Sequence, residues 1–270
     1  MSDYWTKAQE QRFGHEDCVD EEALKNPIQR ERIDKAVKFV GGPGLKVLDV
    51  GCSAGGISEL IHNNGNECWG IDLPDVVASV PEERKKWFNV RHGDASRKPW
   101  AAIEVPVAST TSGTLGMTKW SSAFDDAFFD VCFLGEIIEH FIDLEPPLTE
   151  AWRVLKPGGR LVLTTPNVAR EINRLFFLFG DIEVWHEWKR IPHHVRFFTP
   201  NTLAMALEKY RFKPTRWEYG RSQAELGNDV ERQNELSPIQ KIALKQLFDH
   251  FTPGPLWKHS FLIVDAEKVG

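Results

Sequence analysis

Cysteine is scarce in this 270-residue chain, and its four copies, Cys18, Cys52, Cys68 and Cys132, show no paired spacing. Three of them fall in or beside expected core strands. They therefore read as reduced, buried thiols of a cytoplasmic protein and exclude a disulfide framework. Long apolar runs are missing too, and none reaches the length of a transmembrane segment. The first residues are polar and carry no signal-peptide pattern. Positive charge is not in excess: 33 Lys and Arg stand against 39 Asp and Glu, a formal net charge of −6. A dedicated nucleic-acid binder normally presents a basic face that displaces counterions, so this balance argues against nucleic acid as a partner. No internal repeat or low-complexity tract occurs. What remains is 41% hydrophobic and 27% charged, ordinary for a soluble globular protein. The length suits one α/β domain with additions, or two small domains.

The most informative stretch runs from Lys46 to Ser58. Val47 to Val50 is a short apolar run interrupted only by Asp49, the pattern of a strand buried on both faces. Gly51, Gly55 and Gly56 follow where the chain must turn sharply, and Ile57 to His62 resumes with helical spacing. Strand, glycine turn and helix open a nucleotide-binding α/β unit. The G-x-G-x-x-G spacing that seats a pyrophosphate on a helix N-terminus is absent. In its place stands Asp49-x-Gly51-x-x-x-Gly55, with an acid before the glycines and no basic residue in the loop. That suits a ligand with a zwitterionic end and no phosphate.

Further signals follow in order. Trp69-Gly70-Ile71-Asp72 is a second strand ending in an acid, 21 residues beyond Gly51, the separation expected for a carboxylate on ribose hydroxyls. Val90 to Ala95 fits a third strand and its loop, and Phe129 to Leu134 a fourth strand. Leu155-Lys156-Pro157-Gly158-Gly159 and then Arg160 to Thr165 fit a turn and a fifth strand. From about residue 30 to residue 215 these motifs resemble those of the class I S-adenosylmethionine (SAM) methyltransferases. The resemblance implies an α/β fold: a Rossmann-like, seven-stranded, mostly parallel sheet with helices on both faces. Phe212 to Tyr219 and Ser260 to Asp265 would be its last two strands, the final one inserted antiparallel. It also implies SAM as cofactor, held by Asp49, Gly51, Ser53, Gly55, Asp72, Leu73, Asp94, Ala95 and the Leu134-Gly135 backbone, with the Asp94 loop at the adenine amino group.

Around this frame, residues 1–29 are polar and acidic with Tyr4, Trp5 and Phe13, and read as an N-terminal arm and lid. Residues 30–270 form the methyltransferase domain in this reading. Ile28 to Val40 has an amphipathic helical pattern, stopped by Gly41-Gly42-Pro43-Gly44. Arg12 and Arg32 are candidates for the SAM carboxylate but read better as surface charges. Pro74 to Val80 and Glu82 to Phe88 are short helical or irregular pieces. Residues 99–127 and 169–192 read as insertions at the strand C-terminal edge, where sites in open α/β sheets lie. The second, with Leu175-Phe176-Phe177-Leu178-Phe179, is expected to form a cap, and its apolar run also offers a contact to a membrane interface, a lipid-linked substrate or a homodimer partner. Its Trp185, His186 and Trp188 are candidates for stacking on a sugar or aromatic ring. Thr199 to Tyr210 reads as a helix started by Thr199-Pro200, and Pro238 to Phe251 as another.

Just past the fourth strand stands Gly135-Glu136-Ile137-Ile138-Glu139-His140, which would put two carboxylates and an imidazole on one face of a helical turn. His194 (or His193) in Pro192-His193-His194-Val195-Arg196-Phe197-Phe198-Thr199 would complete a donor set for a hard divalent ion, Mg²⁺ or Mn²⁺. With Thr164-Thr165-Pro166-Asn167 between them, these residues resemble two metal-using groups. They are the ubiquinone-biosynthesis O-methyltransferases and the small-RNA 3′-terminal 2′-O-methyltransferases. The His-Val-Arg-Phe-Phe-Thr segment also resembles glycan-associated methyltransferases. The resemblance implies O-methylation of a small or medium polar acceptor with adjacent hydroxyls: a glycan, a nucleotide sugar or a phenolic metabolite. Two uses of the residues stay open. Glu136, Glu139, His140 and His194 can all be ligands of the ion, or a histidine can be the base while the first acid orients the amino end of SAM. N-methylation of a small amine and a non-catalytic, partner-binding subunit of the same fold are the competing functions; a third, RNA methylation, has the net acidity against it.

Overall fold

Seven strands form one sheet in the order β3-β2-β1-β4-β5-β7-β6. They are β1 (Lys46–Val50), β2 (Glu67–Asp72), β3 (Phe88–His92), β4 (Phe129–Gly135), β5 (Leu155–Pro166), β6 (Phe212–Gly220) and β7 (Phe261–Lys268). The computed structural model describes residues 24–98, 100, 124–170, 173–174, 194–220 and 259–270. Strands β1 to β5 pair in parallel, and β7 runs antiparallel to both β5 and β6. The reversed last strand is therefore inserted between two neighbours, as the resemblance implies.

The central strands show little polar alternation because helices cover both faces. Leu48, Cys132, Leu134, Leu161 and Leu163 point to one side, where they pack with Leu148 and Ala151 of α4 (Glu145–Val154) and Leu203 and Leu207 of α5 (Pro200–Lys209). Val47, Val131, Phe133 and Val162 point to the other. There they meet Ile33, Ala36 and Val37 of α1 (Pro27–Val40) and Ile57 and Ile61 of α2 (Gly56–Asn63). Each of the Val, Leu, Ile and Phe side chains contributes roughly 1.5–3 kcal/mol on burial. Helix α3 (Pro74–Ala78) is a short link after β2. Helix α5 begins in a capping box, in which the Thr199 hydroxyl accepts from Thr202 N at 3.1 Å and the Thr202 hydroxyl from Thr199 N at 2.9 Å.

Helix α1 is docked by its C-terminal end. Arg160 of β5 donates to the Phe39 and Val40 carbonyls at 2.7 and 2.8 Å, occupying acceptors that the helix leaves open. Asp265 of β7, fully buried, holds Arg160 Nη1 at 3.1 Å and accepts from Arg216 Nε at 2.8 Å.

Two boundaries differ from expectation. Strand β3 starts at Phe88, not Val90, because the Phe88 ring fills the space over Gly70; Gly93-Asp94-Ala95 lies beyond the strand. The turn expected at residues 155–159 is instead an irregularity inside β5. Leu155 pairs with Phe129 and Arg160 with Val131, so Lys156 to Gly159 loop out between them, with Gly158 at φ 72. Cys52, Cys68 and Cys132 are buried, and burial pushes the Cys68 thiol up to about 12. The arm up to residue 23, Cys18, Arg12, His193, Trp185, His186, Trp188 and the helix expected at residues 238–251 lie outside the described residues, as do most of 99–127 and 169–192. No helix among the described residues is long and apolar enough to cross a membrane.

Candidate functional site

Two groups of residues meet at the C-terminal edge of the sheet. The first is the loop after β1. Gly51 takes φ 74 and donates to the Ile71 carbonyl at 2.8 Å, which ties the loop to β2. A Cβ on Gly51 would lie 2.2 Å from Ile137 Cδ1, so only glycine fits. Gly55, at φ 83, opens α2. Ser53 also has positive φ, and its hydroxyl is buried with no hydrogen-bond partner among the described residues.

Asp72, at the end of β2, is oriented through both oxygens: it accepts from Ser53 N and from Leu73 N, each at 2.7 Å. Burial raises its carboxyl above the usual aspartate range, and these two amides pull it back down. Gly51, Ser53, Gly55, Asp72 and Leu73 are thus brought together. Asp94 and Ala95 lie in the loop after β3, where Asp94 accepts from the Ser96 amide at 2.9 Å and pairs with Arg97 at 3.0 Å. Leu134 is buried at the end of β4 beside Gly135. Asp49 sits lower. It is buried and accepts from the Ser58 hydroxyl at 2.5 Å, which pins the first turn of α2 to β1.

The second group follows β4. Glu136 has φ 54 and donates its amide to the Thr164 carbonyl at 3.1 Å. The next turn, Ile138–His140, is a 3₁₀ turn. The helical turn expected to align Glu136 with Glu139 and His140 does not form, because the left-handed residue breaks the i, i+3, i+4 geometry. Glu136 instead lies 2.6 Å from Arg32 Nη1. Arg32 corrects a second expectation. It is not a surface charge: it is 6% exposed and stands 4.7 Å over the Phe261 ring. Its spacing carried the signal, since Arg32 falls on the same helical stripe as the buried Ala36 and Val40.

Glu139 is buried; its Oε2 accepts from the Thr165 hydroxyl at 2.9 Å and its Oε1 lies 3.7 Å from His194 Nε2. Backbone bonds deliver His194 to this place. The Glu139 carbonyl accepts from both Val195 N and Arg196 N at 3.0 Å, and Arg196 Nε donates to the Phe141 carbonyl at 2.8 Å. A bridge between Asn167 and Phe198 ties the same segment to the end of β5. The His140 and His194 rings meet edge to face at 4.7 Å. One ligand atom from each of Glu139, His140 and His194 lies within 4.8 Å of the others. Two imidazoles and a carboxylate at that spacing fit a divalent ion. Burial first, and then the Glu136 charge, hold the Glu139 carboxyl well above the usual glutamate range.

The comparisons agree with this geometry. A family model described as a methyltransferase domain matches residues 24–216. The chain is 29% identical over 195 residues to the mitochondrial ubiquinone biosynthesis O-methyltransferase of Homo sapiens, covering 68% of this chain and 47% of that protein. It is 30% identical over 183 residues to the ubiquinone biosynthesis O-methyltransferase of Hahella chejuensis, covering 66% of each. The match thus spans less than half of the human relative and just under two thirds of the bacterial one. Among solved structures, geranyl diphosphate C-methyltransferase from Streptomyces coelicolor superposes with a TM-score of 0.58 at 14% identity, over 93% of this chain and 84% of that one. The [4+2]-cyclase SpnF gives 0.56 at 19% identity, over 90% and 82%. These two share the fold, and their different chemistries leave the reaction to be argued from the site.

Proposed function

Because this chain belongs to the methyltransferase-domain family and has the class I SAM-dependent methyltransferase fold, we propose that it methylates an oxygen of a small or medium polar acceptor with two adjacent hydroxyls. A glycan, a nucleotide sugar or a phenolic metabolite has the required chemistry. The carrying observation is the convergence of Glu139, His140 and His194, from two separate segments, beside the loop that would hold the cofactor. The relatives named above are O-methyltransferases, which supports oxygen over nitrogen.

SAM supplies a methyl group already activated on a sulfonium, so the protein must align donor and acceptor and help remove a proton. In this reading Asp72 would accept from the ribose hydroxyls, with Gly51, Ser53, Gly55 and Leu73 around it. Asp94 and Ala95 would hold the adenine, Leu134 and Gly135 the methionine part, and Arg32 the methionine carboxylate. Glu139, His140 and His194 would hold Mg²⁺ or Mn²⁺, whose charge would make a nearby hydroxyl easier to ionise and hold two adjacent oxygens. Thr165 fixes one oxygen of Glu139 and leaves Oε1 turned to His194. The same contact favours a second use: without an ion, Glu139 orients His194 as a base.

Calorimetric titration of Mn²⁺ into protein saturated with S-adenosylhomocysteine, for wild type and His194→Ala, tests the reading. Stoichiometric binding, weakened at least about 10-fold by the substitution, is expected. Bound S-adenosylhomocysteine with no Mn²⁺ binding removes the ion and leaves the histidine base. Failure of S-adenosylhomocysteine to bind removes the transferase reading itself.

A further inference from the structure

Arg84 belongs to the link between α3 and β3, yet its side chain reaches back to the loop after β1. It opens the 3₁₀ turn Arg84–Lys86, and its side chain is only 14% exposed. Nη1 donates to the Ala54 carbonyl at 3.0 Å, while Nε and Nη2 donate to one oxygen of Glu59, in the first turn of α2, at 3.1 and 2.8 Å. Glu59 thus aims the planar fork of the guanidinium. The peptide between Ala54 and Gly55 is held at both ends, because the Gly55 amide donates to the Cys52 carbonyl at 2.9 Å. Just before it stands Ser53, at φ 49, a conformation that costs a residue with a side chain and persists only where its surroundings fix it. In that conformation the Ser53 amide meets Asp72 Oδ2 at 2.7 Å.

We infer that Arg84 is a positioning residue for the cofactor: aimed by Glu59, it fixes the Ala54–Gly55 peptide and so keeps Ser53 left-handed, with its amide on Asp72. The inference rests on the proposed function, in which Asp72 would accept from the ribose hydroxyls. An ion pair with the half-exposed Glu59 does little by itself for the fold. The bond to the Ala54 carbonyl is different, because it ends on backbone one residue from Ser53. Without it one end of the peptide is released, and Ser53 can relax toward negative φ and away from Asp72. The ties to the β2 backbone do not hold Ser53 in place. They lie before it, where Gly51 and Cys52 donate to the Ile71 carbonyl at 2.8 and 3.3 Å.

The test is calorimetry of S-adenosylhomocysteine binding to wild type, Arg84→Gln and Glu59→Gln, with Arg84→Gln repeated in a Ser53→Gly background. Arg84→Gln should weaken binding by about tenfold, the worth of one hydrogen bond from a charged donor. Glu59→Gln, at a half-exposed side chain that the fold tolerates losing, should weaken it by about threefold. Glycine takes positive φ as readily as negative, so in the Ser53→Gly background Arg84→Gln should weaken binding by less than about twofold. An unchanged affinity in Arg84→Gln, or in Glu59→Gln, overturns the inference and leaves the proposed function standing. So does an equal loss in the two Ser53 backgrounds, which would make Arg84 an ordinary brace of the fold. Failure of the wild type to bind S-adenosylhomocysteine removes the proposed function itself, and the inference with it.

Discussion

Glu139 Oε1 and His194 Nε2 lie 3.7 Å apart, although one residue sits on the turn after β4 and the other on the segment that leads into α5. The backbone makes the meeting: the Glu139 carbonyl receives two amides from the residues just after His194.

Without an ion, Glu139 works against stability as the pH rises. Its folded carboxyl is held above the ordinary glutamate value of about 4.3. Between that value and the raised one, the unfolded chain releases a proton that the folded chain keeps. The stabilisation is full below the ordinary value and is lost as pH climbs through the raised one. Urea unfolding of metal-free protein from pH 5 to 8 should show this fall, and Glu139→Gln should flatten it. Parallel profiles for the two proteins would refute the assignment.

Asp72 is the acid placed for the ribose. Asp72→Asn should weaken S-adenosylhomocysteine by about 10- to 100-fold, the worth of hydrogen bonds to a charged acceptor, as read by calorimetry. An unchanged affinity would place the cofactor elsewhere.

Gly51 and Ile137 join the two halves of the site. Gly51→Ala adds a methyl group 2.2 Å from Ile137 Cδ1 at a positive φ, and should destabilise the protein by about 2 kcal/mol or more. It should weaken both S-adenosylhomocysteine and Mn²⁺. Combining it with Ile137→Ala removes the clash and should recover part of the Mn²⁺ affinity, while the backbone strain persists.

Asp265 anchors α1 through Arg160 and Arg216. Asp265→Ala takes a shared carboxylate from Arg160 and the half-exposed Arg216 and should cost about 1–3 kcal/mol. For a chain of this size that lowers Tm by roughly 2–12 °C. A loss under 1 kcal/mol, measured by chemical unfolding, would show that α1 docks without this pair.

Sequence reasoning reaches β1, β2, β4 and most of β5 because each holds an apolar run, closed in the first three by glycine or an acid, a pattern that buried parallel strands impose. It misplaces the start of β3, since Phe88 looks like the end of an irregular link until its ring is seen over Gly70. Glu139, His140 and His194 are legible from residue type alone, and the structure brings the three together. Glu136 is not: the i, i+3, i+4 rule presupposes an α-helical turn, and nothing in Gly135-Glu136-Ile137 announces a left-handed glutamate. Arg32 is masked by its charge, which outweighs its position on the buried stripe of α1 when composition alone is weighed.

Methyl transfer from labelled SAM to catechols and other vicinal diols, by wild type and His194→Ala, with Mn²⁺ or with chelator, tests O-methylation at this site most directly. One oxygen of the pair should be methylated, the product should vanish with chelator, and His194→Ala should be at least about 100-fold slower. Methylation of nitrogen would contradict it, as would an oxygen product formed at a rate that neither chelator nor His194→Ala changes.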